Sequence, residues 1–181
     1  MLGIHSGLHH GIARFSAPAT RMILANGGLT TPLLEAVAGC ELTTQVDSCV
    51  LVEPAQLREE PREALAVSDA DPDAQACWLR HSRLLTDTGE PVSENVVTAR
   101  SDLDPAIDRA VQDTEHPIGY AMAEAGLALT RRTLHVGSAV WPHGGESRQR
   151  CATKSYLLEL SGRPALHIQE LYSPAYFPSA S

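Results

Sequence analysis

The sequence predicts a single α+β domain, with a mostly antiparallel sheet of about six strands and short helices packed on one side. Three observations lead to this fold class. Apolar and polar residues alternate over several stretches, Gly- and Pro-containing turns join neighbouring stretches into hairpins, and helix signals fall between the strand blocks without strict strand–helix–strand alternation. Residues 21–178 are expected to form the domain, behind a loosely ordered leader over residues 1–20.

The strands follow from period-two alternation. Ser161, Gly162, Arg163 and Pro164 punctuate two Leu-, Ile- and Tyr-rich runs near the C-terminus, which predicts a hairpin. The turn signal at residues 87–90 predicts a second hairpin. The predicted strands cover residues 42–52, 76–86, 91–100, 127–141, 152–160 and the arm that ends at 172.

The helices follow from cap signals. Thr31 suits the N-cap position, Pro32 the first helical position and Gly39 the C-terminal stop. The same logic predicts helices from Asp104 to 112 and from His116 to 126. A short helical piece is expected at 21–24, and the acidic stretch 56–73 is expected to be a surface loop with a brief helix.

Composition limits the function classes. The chain has 181 residues and a net charge of −8, which argues against nucleic-acid binding but allows a local cationic pocket for an anion. Four scattered cysteines, no signal peptide and no apolar stretch near the ~20 residues of a membrane span favour a cytoplasmic protein that does not contact membranes. We expect a monomer or a weak homo-oligomer.

The sequence contains no clear motif for binding a metal or a nucleotide. His5, His9 and His10 could bind a metal, but no acidic or cysteine partner accompanies them at ligand spacing, so a loosely packed terminus is the favoured interpretation. The chain contains no P-loop, GxGxxG or GxSxG motif. The sequence therefore predicts no metal and no cofactor.

Two charged residues stand on otherwise apolar strand faces. Alternation places Glu170 on the same face as Leu166, Ile168 and Tyr172. A carboxylate on such an apolar face is paired, protonated or functional, because burying it without a partner is costly. A structural ion pair remains an open alternative to a functional role. Because no cation is evident beside it, we expect its removal to spare stability. Arg80 is either a snorkelling surface residue or a pocket cation, and the pattern alone favours the surface.

Four segments in order resemble the chorismate pyruvate-lyase (4-hydroxybenzoate synthase) family, in its actinobacterial form. The resemblance spans residues 20–175, with Ile118 where leucine is usual and Lys154-Ser155 where relatives tend to have two arginines. It rests on Asn26-Gly27-Gly28-Leu29-Thr30, on Trp78-Leu79-Arg80 with Gly89-Glu90-Pro91, on His116-Pro117-Ile118-Gly119, and on the C-terminal hairpin with Glu170-Leu171-Tyr172.

The resemblance implies a chorismate lyase-like fold and a cofactor-free carbon–oxygen lyase that converts chorismate to pyruvate and 4-hydroxybenzoate. Arg80 would bind the ring carboxylate, and Glu170 would meet the ring hydroxyl. Backbone N–H groups near Leu29, Ile118 and Gly119 would assist. Lys154 or Arg148 would receive the carboxylate of the enolpyruvyl arm.

Two alternatives stay open. The first is a lyase-like enzyme repurposed in secondary metabolism, which acts on another chorismate-derived acid or guides a cyclisation. The second is a non-catalytic small-molecule binding domain, since the fold class resembles the effector-binding domain of some bacterial transcription regulators. The second is the weaker, because residues 1–20 are too few for a DNA-reading helix-turn-helix.

Overall fold

The computed structural model describes residues 3–68, 76–145 and 148–179, with side chains from residue 7 onward. The helices are α1 Gly3–Ala13, α2 Pro18–Ala25, α3 Thr31–Ala38, α4 Glu59–Ala64, α5 Pro105–Gln112 and α6 Ile118–Glu124, with a 3-10 turn at Pro54–Gln56. The strands are β1 Thr43–Val52, β2 Cys77–Leu85, β3 Pro91–Arg100, β4 Leu129–Val140, β5 Arg150–Leu160 and β6 Arg163–Tyr172.

The six strands form one sheet in the order β1-β2-β3-β6-β5-β4, and every neighbouring pair is antiparallel. The predicted α+β class with a six-stranded antiparallel sheet is therefore confirmed. Gly89 and Gly162 adopt φ values of 82° and 77° in the β2–β3 and β5–β6 turns, a region that glycine enters without a steric penalty. The β3–β6 pair joins the two halves of the chain.

Helices cover one face of the sheet, apart from α4. The side chains of α2, α3, α5 and α6 pack against apolar residues on a single face, which we call the front. On the back, Ser155 Oγ donates to Glu60 Oε1 of α4 at 2.6 Å. Because Ser155 alternates with Lys154 and Tyr156 along β5, α4 lies on the opposite face from the other helices. Of the predicted loop 56–73, residues 69–73 lie outside the described part of the chain.

Two apolar clusters fill the front, and a row of polar side chains separates them. The first cluster contains Val97, Tyr156 and Ile168 under α5 and α6, and the second contains Leu84, Tyr172 and other residues under α2 and α3. Between them, four directly paired residues of β2, β3, β6 and β5 form what we call the polar row: Ser82, Asn95, Glu170 and Lys154.

Residues 3–20 differ from the expected loose leader. They include α1 and the start of α2, with Leu8 and Ile12 packed against the second cluster and Phe15 only 5% exposed. The spacing of four residues from Leu8 to Ile12 and three from Ile12 to Phe15 gives one apolar helix face. This face is hard to recognise in the sequence because glycines and histidines surround these residues. His9 and His10 are exposed, and the side chain of His5 lies outside the described set.

Other sequence features take a simple form. Cys40, Cys49, Cys77 and Cys151 are free thiols. In the described ranges, no group of three or more His, Cys, Asp or Glu side chains is arranged to hold a metal. No described helix is long and apolar enough to cross a membrane.

Candidate functional site

A cavity of about 320 Å³ lies on the front of the sheet, at the polar row. All six strands contribute to its floor, and the segment 27–31 and α6 form its walls. Its charged and polar lining comprises Thr30, Thr31, Thr44, Arg80, Ser82, Asn95, Arg131, Tyr156 and Glu170. We call this the front cavity.

Arg80 enters the front cavity from the middle of β2 and is fully buried. Its Nη1 donates to the backbone oxygens of Val111 at 3.1 Å and Ala110 at 3.4 Å, at the end of α5. Its Nε and Nη2 have no hydrogen-bond partner among the described residues. Burial lowers the pKa of this guanidinium, and nearby Cys49 and Asp113 oppose that effect. The side chain is therefore a buried cation with donors to spare.

Glu170 occupies the centre of the cavity floor and is 6% exposed. Its Oε2 accepts hydrogen bonds from Tyr172 Oη at 2.5 Å and Thr30 Oγ1 at 3.2 Å. Its Oε1 accepts one from Tyr156 Oη at 3.2 Å. Burial and the neighbouring carboxylate raise the pKa of both tyrosines well above the usual value, so both phenols are protonated donors at neutral pH. Three hydroxyls thus satisfy a carboxylate that the sequence left without a partner.

Arg131 supplies a second cation to the cavity. It projects from β4, with Cζ 3.9 Å from the centroid of the Tyr156 ring, and its Nη1 donates to Thr30 Oγ1 at 3.4 Å. The stacked guanidinium and the Thr30 hydroxyl connect the cation to Glu170 through one intervening group. Arg80, Arg131 and Glu170 together leave the cavity with an excess of positive charge, within a chain whose net charge is −8.

Lys154 does not line the front cavity. It is fully buried beside Glu170, its cross-strand neighbour, and its Nζ donates to the backbone oxygen of Asn26. Burial lowers the pKa of Lys154 to about 8, against the attraction of Glu170. The ammonium therefore holds the start of the 26–30 segment over the cavity, which differs from the predicted role of binding a substrate carboxylate.

Arg148 is also away from the cavity. It is exposed in the connection before β5, at φ 43°, and it is absent from the cavity lining. The register explains the distance, because cavity residues of β5 begin at Tyr156 while Arg148 precedes the far end of that strand. The expectation that Arg148 contacts the ligand does not fit this position.

The predicted backbone contributors do border the cavity. Leu29, Ile118 and Gly119 all line it, where α6 begins opposite the segment before α3. A Cβ on Gly119 would lie 3.3 Å from Leu29 Cδ2, so the two walls touch at this point. The N-cap of α3 is Thr30 rather than the predicted Thr31, and its hydroxyl bonds Glu170 instead of the helix backbone.

Sequence reasoning missed Arg131, Thr30 and the tyrosine partners of Glu170. The alternation of β4 indicates that Arg131, Thr133 and His135 share a side of the strand, but not which side faces the interior. From the sequence, Tyr156 and Tyr172 look like ordinary core residues. In the structure, the strand register places Tyr156 beside Ile168 and near Glu170. The signal that could have found Tyr156 is the register of β5 and β6: residues paired across these strands point to the same face, so Tyr156, paired with Ile168, shares the face of Glu170.

No family model matches the chain, and no curated protein matches it. Several solved structures resemble it in fold. The C-terminal domain of the histidine utilization repressor from Pseudomonas syringae pv. tomato covers 75% of this chain and 94% of its own length, with a TM-score of 0.57 and 13% identity. A GntR-family transcriptional regulator from Bacillus cereus covers 77% and 96%, with a TM-score of 0.55 and 13% identity. The C-terminal domain of Yurk from Bacillus subtilis covers 72% and 89%, with a TM-score of 0.53 and 14% identity.

The chain has a chorismate lyase-like fold. At sequence identities of 13–14%, the similarity to these structures concerns the fold and does not extend to a specific enzyme family. The expectation that the chain does not bind nucleic acid gains no support from these neighbours, because two of them are a repressor domain and a GntR-family transcriptional regulator.

Proposed function

We propose that this domain binds a small organic carboxylate in the front cavity, with the carboxylate on Arg80 and a polar group of the ligand near Glu170. The observation that carries the proposal is the fully buried Arg80 guanidinium, whose Nε and Nη2 have no described partner. An uncompensated buried charge is costly, and a carboxylate accepts two parallel N–H bonds from a guanidinium. A bound anion would remove that cost.

The spacing of the charged groups favours a compact ring. β2 and β6 are separated by β3, so their backbones lie about 10 Å apart, and Glu170 stands two residues along β6 from Ile168, the residue aligned with Arg80 through Val97. Both side chains line the same cavity. Apolar side chains of Leu84, Leu158 and Ile168 line the space. A cyclic acid with a hydroxyl at the end opposite its carboxylate, of the 4-hydroxybenzoate type, satisfies both charged groups and the apolar lining. The occurrence of this fold in the C-terminal domain of a repressor and in a GntR-family transcriptional regulator supports a ligand-binding role.

The second candidate is catalytic: cofactor-free elimination of pyruvate from chorismate to give 4-hydroxybenzoate. One observation favours it, the presence of a second cation, Arg131, in the same cavity. Chorismate carries two carboxylates and a hydroxyl. Arg80 would hold the ring carboxylate, Arg131 the carboxylate of the enolpyruvyl arm, and Glu170 the hydroxyl. Such a site would act by fixing the arm in a reactive pose and stabilising charge as the C–O bond breaks.

One experiment separates these functions. The purified chain is incubated with chorismate in the presence of EDTA, the products are identified, and the affinity for 4-hydroxybenzoate is measured in parallel. Binding without turnover supports the binding domain. Equal amounts of pyruvate and 4-hydroxybenzoate support the lyase, and a 3-hydroxybenzoate product supports the repurposed enzyme. Absence of both binding and turnover counts against the proposed use of the front cavity.

A further inference from the structure

Among the described residues, buried side-chain nitrogen and oxygen atoms without a hydrogen-bond partner occur in only two side chains. They are Arg80, at Nε and Nη2, and Thr44, at Oγ1. Both side chains line the front cavity. The proposed function gives Arg80 a partner and leaves the Thr44 hydroxyl without one. Because buried polar groups in native proteins are normally hydrogen-bonded, the Thr44 hydroxyl indicates a second point of contact for whatever fills this cavity.

Thr44 lies at the opposite end of the cavity floor from Arg80. It is paired with Leu84, which stands four residues along β2 from Arg80 and faces the same side of the sheet. At ~3.3 Å per residue along a strand and ~4.8 Å between strands, the Cα atoms of Thr44 and Arg80 are about 14 Å apart. The cavity therefore has an unsatisfied polar group at each of two separate ends.

The Arg80 guanidinium stays at its own end of the cavity. Its Nη1 donates to the backbone oxygen of Val111 at 3.1 Å, and Cys49 Sγ donates to the same oxygen at 3.7 Å. Cys49 is the residue of β1 that is paired with Arg80. Since one oxygen contacts both members of this pair, the guanidinium does not extend along the strands towards Thr44.

The Thr44 end of the cavity favours a neutral hydroxyl on the ligand. A threonine hydroxyl can both donate and accept a hydrogen bond, so it suits another hydroxyl. The second cation of the cavity, Arg131, comes from β4, at the opposite edge of the sheet from β1. A second carboxylate beside Thr44 would have no cation next to it, and its burial would be costly.

We propose that Thr44 sets the specificity of the front cavity, and that the ligand is an elongated hydroxyaryl acid with its carboxylate on Arg80 and its terminal hydroxyl on Thr44. This inference rests on the function proposed above, because it needs the carboxylate on Arg80. A ring that carries both groups directly, as in 4-hydroxybenzoate, spans only about half of the ~14 Å between the two Cα atoms. Such an acid can place its hydroxyl near Glu170, which stands at the level of Ser82, halfway along the floor. A two-carbon spacer between ring and carboxylate, as in 4-hydroxycinnamate, carries the hydroxyl further towards Thr44.

Isothermal titration calorimetry of the full chain with a matched pair of acids tests this assignment. Cinnamate and 4-hydroxycinnamate differ only in the terminal hydroxyl. The wild type should bind 4-hydroxycinnamate about five- to tenfold more tightly than cinnamate, because one hydrogen bond is gained. Thr44→Val removes the hydroxyl and keeps the shape, so it should bind the two acids equally. Thr43→Val, at the exposed neighbouring position on the other side of the strand, should retain the preference.

The possible failures separate this inference from the function on which it rests. Equal affinities for the two acids in the wild type would overturn the role of Thr44, as would a preference that survives in Thr44→Val. If 4-hydroxybenzoate binds and neither cinnamate does, the cavity does not admit the longer acid, and only the proposed function stands. If none of the three acids binds, both are wrong.

Discussion

Arg80 is a buried guanidinium that uses only part of its hydrogen-bonding capacity. We expect Arg80→Ala to weaken binding of 4-hydroxybenzoate at the front cavity by ~1.5–3 kcal/mol, because a charge-assisted pair is lost. Arg80→Lys should restore only part of the affinity, since a point charge cannot reproduce the two parallel bonds. The shift of the Ile168 methyl signal during titration measures the affinity.

The strand supplies a matched control for Arg80. Arg83 lies on β2 as well, outside the front cavity, in a surface ion pair with Asp47 at 2.6 Å. Arg83→Ala should leave the affinity for 4-hydroxybenzoate unchanged. Equal affinities in wild type and Arg80→Ala would remove Arg80 from the binding site.

Glu170 carries a different expectation once its partners are known. Sequence alternation suggested that its removal would spare stability, but the carboxylate accepts from Thr30, Tyr156 and Tyr172. Glu170→Ala leaves these buried hydroxyls without an acceptor, so we expect the free energy of unfolding to fall by ~1–3 kcal/mol. Glu170→Gln keeps the shape and one acceptor, and should lose less. Denaturant unfolding measures both variants.

A surface glutamate serves as the comparison for Glu170. Glu94, on the neighbouring strand β3, pairs with His143 near the surface at 2.9 Å. Glu94→Ala should cost less than ~1 kcal/mol of unfolding free energy. If Glu170→Ala proves as mild as Glu94→Ala, the three hydroxyl contacts contribute little to the fold. Should the domain turn over chorismate, Glu170→Ala should also lower kcat more than Glu170→Gln does.

At the scale of elements, the segment 26–30 is fixed to the sheet by Lys154 and Thr30. Burial lowers the pKa of Lys154 from 10.5 to about 8, so between these values the unfolded chain binds a proton that the folded chain does not. The free energy of unfolding should therefore gain from Lys154 as pH rises from about 8 towards 10.5. Below about 8 the cost of burying the ammonium is fully present.

A variant isolates this contribution from other titrating groups. Burial raises the pKa of the Cys77 and Cys151 thiols from 9.0 to about 11, which lowers stability over part of the same range. Lys154→Met keeps a long side chain without the charge. The difference in unfolding free energy between wild type and Lys154→Met should rise with pH, as measured by denaturant titration at several pH values. Parallel profiles would place the Lys154 pKa near its ordinary value.

Local signals predicted most of the elements and little of the site. Period-two alternation indicated all six strands, and Gly39 ends α3 at φ 75° as its cap signal predicted. Helix α1 escaped prediction because three apolar residues stand among glycines and histidines. Of the partners of Glu170, Tyr172 lies two residues along the same strand, Tyr156 lies on the neighbouring strand, and Thr30 is 140 positions away in the sequence. Strand pairing brings Tyr156 to Glu170 and tertiary packing brings Thr30, and no local pattern encodes either contact.

For the molecule as a whole, the polar row divides an interior that could have been one continuous apolar core. Ser82, Asn95, Glu170 and Lys154 are each at most 6% exposed, and they separate the two clusters on the front of the sheet. Burying such groups forgoes apolar contacts and requires every polar atom to find a partner. Proteins tolerate such departures from an apolar core at functional sites. This arrangement makes the stability of the domain sensitive to what occupies the front cavity.

Ligand binding should therefore raise the thermal midpoint of the whole domain. A ligand at one hundred times its Kd contributes about 2.7 kcal/mol, because it binds the folded chain and not the unfolded one. For a chain of this length, that corresponds to roughly 5–10 °C with 4-hydroxybenzoate, measured by calorimetry. Arg80→Ala should lose most of the shift, because the buried guanidinium is the proposed anchor of the carboxylate. A full shift retained in Arg80→Ala would mean that this guanidinium does not hold the ligand.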